Sequence, residues 1–196
     1  MKNRAVFMDR DGTLNEDVGY PSVFAQIQIF LPAFAALRKI RSAGFLAVVV
    51  TNQSAVGRGL MTEAGLQVIH ENMQAAFEEE GAAPDAFYYC PHYGQAADPF
   101  YRDSCNCRKP APGMAIRAAA DLDLDLSSSY MIGDKIEDVE FGLNIGATPV
   151  LVLTGNGRDA LLNLEKKGLR PAFVARDILD AVNWILDREN IRLPEY

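Results

Sequence analysis

The segment Ala5-Val6-Phe7-Met8-Asp9-Arg10-Asp11-Gly12-Thr13-Leu14 decides the fold. Four apolar residues in a row, with no polar alternation, are the pattern of a strand covered on both faces. The run stops abruptly at charge, as a buried strand does when it emerges. The pattern recurs at Leu46–Thr51, the clearest case, and at Ala86–Tyr89, Tyr130–Ile132, Pro149–Leu153 and Ala172–Val174. Helical patterns lie between these runs. Pro32–Ser42 carries Phe34, Leu37 and Ile40 at helical spacing and is closed by Gly44. Thr62 caps a helix to about Glu80, closed by Gly81, and Pro112–Leu122 starts with a proline in its first turn. Ile136–Asn144, Arg158–Lys167 and Ile178–Arg188 follow, the last burying Ile178, Trp184 and Leu186. Strands separated by helices predict an α/β fold with a doubly wound, mostly parallel sheet. Residues 1–196 are the length of a single domain with room for an insertion.

Composition narrows the function classes. Hydrophobic residues make up 49% and charged residues 23%, so the chain can build a core and is not disordered. Nineteen basic against 26 acidic residues leave a net charge of −7, which disfavours a general nucleic-acid binder. No apolar run reaches the ~18 residues of a membrane span, and Ala5–Met8 is too short for a signal-peptide core. The expectation is a cytoplasmic protein with no nucleic-acid or membrane partner, monomeric by default.

In such folds ligands bind beyond the carboxyl ends of the strands. The polar residues placed there are Asp9 and Asp11, then Thr51-Asn52-Gln53-Ser54, then Gly133-Asp134-Lys135. Two carboxylates at one strand end and a third at another form a hard-oxygen site suited to Mg²⁺. Arg10, Arg58, Arg108, Lys109 and Lys135 flank these ends, a local cationic pocket on an acidic protein. That combination suits a small anionic ligand, a phosphate in particular.

All three cysteines, Cys90, Cys105 and Cys107, fall within 18 residues together with His92, one of only two histidines. An odd count argues against a disulfide framework. Cys-x-His followed by Cys-x-Cys supplies three thiolates and an imidazole, a closed tetrahedral shell for a structural Zn²⁺. The metal would pin a loop at about 90–107 that lacks helical or strand periodicity. The other histidine, His70, reads as a surface residue on the polar side of its helix.

Asp9-Arg10-Asp11-Gly12-Thr13 resembles the DxDGT signature of the haloacid dehalogenase (HAD) superfamily of phosphohydrolases. Val50-Thr51-Asn52, Arg108-Lys109-Pro110 and Gly133-Asp134-Lys135-Ile136-Glu137-Asp138 resemble its later motifs, in order, over residues 4 to about 153. The zinc loop running directly into Arg-Lys-Pro is similar to the heptose bisphosphate 7-phosphatase branch. Histidinol-phosphate phosphatase domains share that loop and are the rival. The resemblance implies a HAD-like core with a short zinc-binding loop and no large cap domain. It implies a Mg²⁺-dependent hydrolase of a small phosphorylated sugar whose product feeds nucleotide-activated heptose for cell-surface glycans.

Residue by residue, the resemblance makes Asp9 the nucleophile and Asp11 the general acid and base. Asp9, the Asp11 carbonyl and Asp134 would hold Mg²⁺. Thr51, the Asn52 amide and Lys109 would hold the transferring phosphoryl group. Arg108, Lys135, Asp17-Val18-Gly19-Tyr20 and Gln53-Ser54 would contact substrate, with the zinc loop as a lid. Asp138 reads most simply as a helix residue, with support of the metal ligands from behind as the alternative. From another class, a zinc-stabilised binding protein without catalysis is opposed by the intact set Asp9, Asp11, Lys109 and Asp134. Gly155-Asn156-Gly157-Arg158-Asp159-Ala160 matches a dinucleotide fingerprint with Asp177 downstream, but it follows a late strand and reads as a flexible loop with a helix cap.

Overall fold

The computed structural model describes residues 2–102 and 105–193. Its centre is a six-stranded, all-parallel sheet in the order β3-β2-β1-β4-β5-β6. The strands are β1 (Ala5–Met8), β2 (Leu46–Asn52), β3 (Ala86–Cys90), β4 (Tyr130–Gly133), β5 (Thr148–Val152) and β6 (Phe173–Ala175). The helices are α1 (Leu31–Ser42), α2 (Ser54–Gly57), α3 (Glu63–Glu79), α4 (Pro99–Arg102), α5 (Gly113–Leu122), α6 (Ile136–Asn144), α7 (Gly157–Lys167) and α8 (Ile178–Arg188). This is the doubly wound α/β arrangement that the apolar runs predict.

Side chains of β1 alternate between the two faces, as the two-residue strand period requires. Val6 and Met8 join a core with Leu37 and Ile40 of α1, Ile69, Met73 and Phe77 of α3, and Val182 and Ile185 of α8. Ala5 and Phe7 join the opposite core with Met114 and Ala118 of α5 and Phe141 of α6. Every residue of β1 and β4 is buried, which is why these strands read as unbroken apolar runs. Thr62 caps α3 by accepting from Gly65 N, as its position predicts. Trp184 is only partly buried and stacks on Phe173, with ring centres 5.0 Å apart.

Two expectations about local structure are corrected. The segment that lacks periodicity between Cys90 and Cys107 contains the one-turn helix α4, too short for a periodic signal. Residues 103–104 of that loop lie outside the described residues. His70 is 3% exposed, not on a polar face. It belongs to the sequence Leu66, His70, Met73, Phe77, and that i, i+4, i+7, i+11 spacing was the available signal.

Chain order reverses between β1 and β4, because β1 leads outward to β2 while β4 starts the other half of the sheet. A crevice opens beyond the strand ends at such a point. Among the described residues, no helix is long and apolar enough to cross a membrane.

Candidate active site

Asp9 leaves β1 with its amide donating to Ile132 O of β4 (3.0 Å), so the switch point itself fixes the Asp9 backbone. Lys109 arrives from the distant loop before α5. It is placed by Asn52, whose side chain accepts from Lys109 N (2.9 Å) and donates to Lys109 O (3.1 Å). The Lys109 ammonium then lies 2.9 Å from Asp9 Oδ1 and 2.7 Å from Asp138 Oδ1, and donates to Val50 O at 2.8 Å. All three charged side chains are at most 5% exposed. The carboxylates justify burying the ammonium, and they hold Lys109 above its ordinary pKa although burial alone would lower it. Burial would raise the Asp9 carboxyl, but Lys109 and Lys135 outweigh it and hold it below its usual value. Asp138, read from sequence most simply as a helix residue or as a support behind the metal ligands, is the second partner of Lys109. Its carboxyl also accepts from Lys135 N (2.9 Å), and burial pushes it up to about 6 against the pull of Lys109.

Asp134 is fully buried across from Asp9. Its Oδ2 accepts from Asn156 N (2.8 Å), while its Oδ1 has no hydrogen-bond partner. Burial, then the nearby charge of Asp9, push it up to about 7. A buried carboxylate oxygen without a donor is a place for a cation. Asp9, Asp134 and Asp138 each offer an oxygen within 4.8 Å of the others. The residues therefore fit a hard divalent ion. The walls leave no room for side chains. A Cβ on Gly12 would sit 2.2 Å from Asp134 Oδ2, and one on Gly155 would sit 2.3 Å from the same oxygen. The helix start read at residues 155–160 is present, with Asn156 at the N-cap position of α7, but the loop before it is also part of the site. Gly155 and Asn156 close the far side of the carboxylate cluster, and Asp177 caps α8 by accepting from Asp180 N (2.9 Å).

The Asp11 side chain turns from the carboxylate cluster toward a set of donors. Arg10 makes a two-point contact (Nε 3.1 Å, Nη2 2.8 Å), Asn15 donates at 3.0 Å and Gln53 at 2.8 Å. Arg10 is fully buried beneath the site, so it does not line the pocket as its place at a strand end implied. Its Nη1 meets His70 Nε2 at 3.2 Å, and the imidazole stacks on Phe87. Burial and the Arg10 charge push His70 down to about 3. The folded value lies below the ordinary 6.5, so the unfolded chain binds the proton more readily and acid drains stability. Between pH 7 and pH 5 this single group costs about 2 kcal/mol. Urea unfolding at both pH values measures it. His70→Gln is expected to lose about that much less than the parent, and an identical pH slope in both proteins would refute the assignment.

A cavity of about 290 Å³ opens over these groups. Its walls include Asp9, Asp11, Thr51, Asn52, Gln53, Ser54, Arg108, Lys109 and Lys135, together with Asp17, Gly19 and Tyr20 of the first loop. Sequence reasoning missed Ala55, Glu137 and Asp138, which also line it. Val18 does not. Gly19 N donates to Asp17 Oδ1 (3.1 Å), and this tight turn leaves Val18 at its tip, 43% exposed. Lys135 holds the loop from inside, 3.1 Å from Asp17 Oδ2 and 3.3 Å from Asp11 O.

Cys90, His92, Cys105 and Cys107 converge beside this cavity. Cys90 Sγ lies 3.1 Å from Cys107 Sγ and 3.6 Å from Cys105 Sγ, and His92 Nδ1 lies 3.3 Å from Cys107 Sγ. Three sulfurs and one imidazole nitrogen at this spacing are compatible with zinc. The lid expectation is corrected: none of the described residues of 90–107 lines the cavity. The loop acts from behind, where His92 O accepts from Arg108 Nη1 (3.1 Å).

Comparisons with known proteins agree with this geometry. A HAD-hydrolase-like family model matches residues 106–181. The chain is 42% identical over 153 residues to a D-glycero-beta-D-manno-heptose-1,7-bisphosphate 7-phosphatase of Yersinia pestis, covering 77% of this chain and 81% of that one. It is 43% identical over 187 residues to the protein of the same description from Haemophilus ducreyi, covering 94% and 100%. Among solved structures, a D,D-heptose 1,7-bisphosphate phosphatase from B. bronchiseptica, complexed with magnesium and phosphate, superposes with a TM-score of 0.83. It is 32% identical and covers 94% of this chain and 99% of its own.

Proposed function

The chain belongs to the HAD-like phosphatases, and from that membership we propose that it removes the 7-phosphate of D-glycero-D-manno-heptose 1,7-bisphosphate through a phosphoryl group carried on Asp9. The observation that carries the chemistry is the buried Asp9–Lys109 pair facing Asp134 at the sheet's switch point. Asp9 is ionised at neutral pH and needs no base to activate it. Its carboxylate oxygen bonds to phosphorus as the bond from phosphorus to the sugar oxygen breaks. Asp11, once it has taken up a proton in the substrate complex, hands it to that leaving oxygen, then accepts one from the water that attacks phosphorus. The Asp9–phosphorus bond breaks, free phosphate leaves, and both carboxyl groups return to their starting state. Lys109, Thr51 and the Asn52 amide hold the phosphoryl oxygens through both displacements.

Asp9, the Asp11 carbonyl and Asp134 would hold Mg²⁺, which when bound neutralises charge shared by the carboxylates and the phosphoryl oxygens. Cys90, His92, Cys105 and Cys107 would hold a structural Zn²⁺. Arg108 stands at the rim, where a guanidinium suits the phosphate that is not cleaved. The test is phosphate release from heptose 1,7-bisphosphate, histidinol phosphate and a sugar monophosphate panel, with and without Mg²⁺. The expected result is Mg²⁺-dependent loss of the 7-phosphate with kcat/KM at least tenfold above that for histidinol phosphate. Preference for histidinol phosphate would overturn the substrate, and no turnover of any ester would overturn the reaction.

A further inference from the structure

Arg58 follows α2 and takes no part in the carboxylate cluster, although its place near a strand end suggested a pocket cation. Its guanidinium lies 3.7 Å from the ring centre of Tyr93 and 5.3 Å from that of Tyr20. The two rings belong to different parts of the molecule. Tyr20 lines the cavity at the end of the 17–20 turn. Tyr93 follows His92 in the cysteine-histidine loop, and its backbone is fixed by donation from Tyr93 N to Tyr101 O (2.8 Å). Arg58 itself is set firmly against that loop. Gly57 N donates to Pro91 O (2.9 Å), and a Cβ on Gly57 would meet Pro91 O at 2.8 Å and Tyr93 at 2.9 Å. The 17–20 turn, in contrast, is exposed at Val18 and Tyr20. Its inner end is tied by the ion pair of Asp17 with Lys135 (3.1 Å), and its outer end meets Arg58.

We propose that Arg58 is a positioning residue that fixes the substrate-facing turn at Tyr20 to the Tyr93 face of the cysteine-histidine loop, and so sets the affinity for a phosphorylated sugar without touching the reacting atoms. A planar cation between two aromatic faces is favoured over a hydrated one, and guanidinium stacks where ammonium cannot. The turn has little buried surface of its own, so ordering it falls to contacts at its two ends. This inference rests on the reading of Asp17, Gly19 and Tyr20 as substrate contacts.

The experiment compares KM and kcat of Arg58→Ala, Tyr93→Leu, Tyr93→Phe and Tyr20→Ala on heptose 1,7-bisphosphate and on p-nitrophenyl phosphate, whose small ester does not need the rim. Arg58→Ala and Tyr93→Leu are each expected to raise KM for the bisphosphate about three- to tenfold, with kcat and p-nitrophenyl phosphate turnover changed less than twofold. Tyr93→Phe keeps the ring and stays at the parental KM, and Arg58→Ala combined with Tyr93→Leu is no worse than either alone. Hydrogen exchange in the 16–24 segment speeds up in Arg58→Ala. Loss of both substrates in parallel, or an unchanged exchange rate, would show a merely structural role and overturn the inference. If Tyr20→Ala raises KM and Arg58→Ala does not, the inference alone fails. An unchanged KM in Tyr20→Ala removes the substrate-rim reading beneath it.

Discussion

Asp9→Asn is expected to reduce phosphatase activity by a factor on the order of 10⁴ or more while leaving the protein folded. The amide cannot act as the attacking oxygen, so the covalent step has no substitute within reach. The fold survives because the buried charges rebalance. Lys109 keeps Asp138 at 2.7 Å and the Val50 carbonyl at 2.8 Å, and Asp134 loses the repulsion that Asp9 imposes on it. The Asp134 carboxyl therefore drops from about 7 in this variant. Acid-quenched parent enzyme should carry a phosphoryl group on the peptide containing Asp9, and the variant none. Activity within tenfold of the parent, or a phosphoryl group trapped on another residue, would defeat the assignment.

Lys109→Ala is expected to lose both activity and stability. Removing one partner of a buried ion pair costs about 3–5 kcal/mol, because the partners left behind stay charged and desolvated. For a chain of this length that corresponds to a fall in melting temperature of roughly 10 °C. Here two carboxylates, Asp9 and Asp138, are abandoned together. With the ammonium gone, burial raises both above their unfolded value of about 3.8, so the native state binds more protons than the unfolded one. The contribution of these two carboxyls to the variant's stability then grows as the pH falls, while the cost of His70 is the same in variant and parent. The deficit against the parent is expected to be smaller at pH 5 than at pH 8. Adding Asp138→Asn should return part of the lost stability at pH 8 and none of the activity. A melting temperature within about 2 °C of the parent would mean that the ion pairs are not the device that keeps Lys109 buried.

These two predictions differ in what made them visible. Asp9, Asp11, Thr51 and Asp134 could be named from the chain because each stands where an apolar run ends, and Lys109 because Arg108-Lys109-Pro110 resembles a family motif. The cysteine-histidine cluster was legible for a similar reason, since donor type and short spacing alone define a closed shell. Asp138 was not legible. Nothing local distinguishes an acidic residue in the first turn of a helix from a helix-dipole partner. Only the approach of Lys109, 29 residues earlier in the chain, makes it the other half of a buried pair. Gly155 and Asn156 were hidden for a related reason. Their pattern reads as a loop before a helix start, and it is contact with Asp134 that makes them part of the site.

His70 and Arg10 carry the same lesson from the polar side. A lone histidine in an amphipathic helix reads as a surface group, and an arginine at a strand end reads as a pocket cation. Both are buried, because each supplies the hydrogen-bond partner that the other's desolvation requires.

The sequence by itself determined the order of strands and helices, the strand ends that bear carboxylates, and the donor set for a zinc knot. These follow from periodicity and spacing, which are properties of neighbours along the chain. Tertiary structure alone decided which charges share one buried cluster and that the cysteine-histidine loop holds Arg108 through the His92 carbonyl. It also decided that Arg58 joins two separate loops. The reason is that burial and Coulomb energy depend on distance through space, and a linear pattern fixes that distance only within an element.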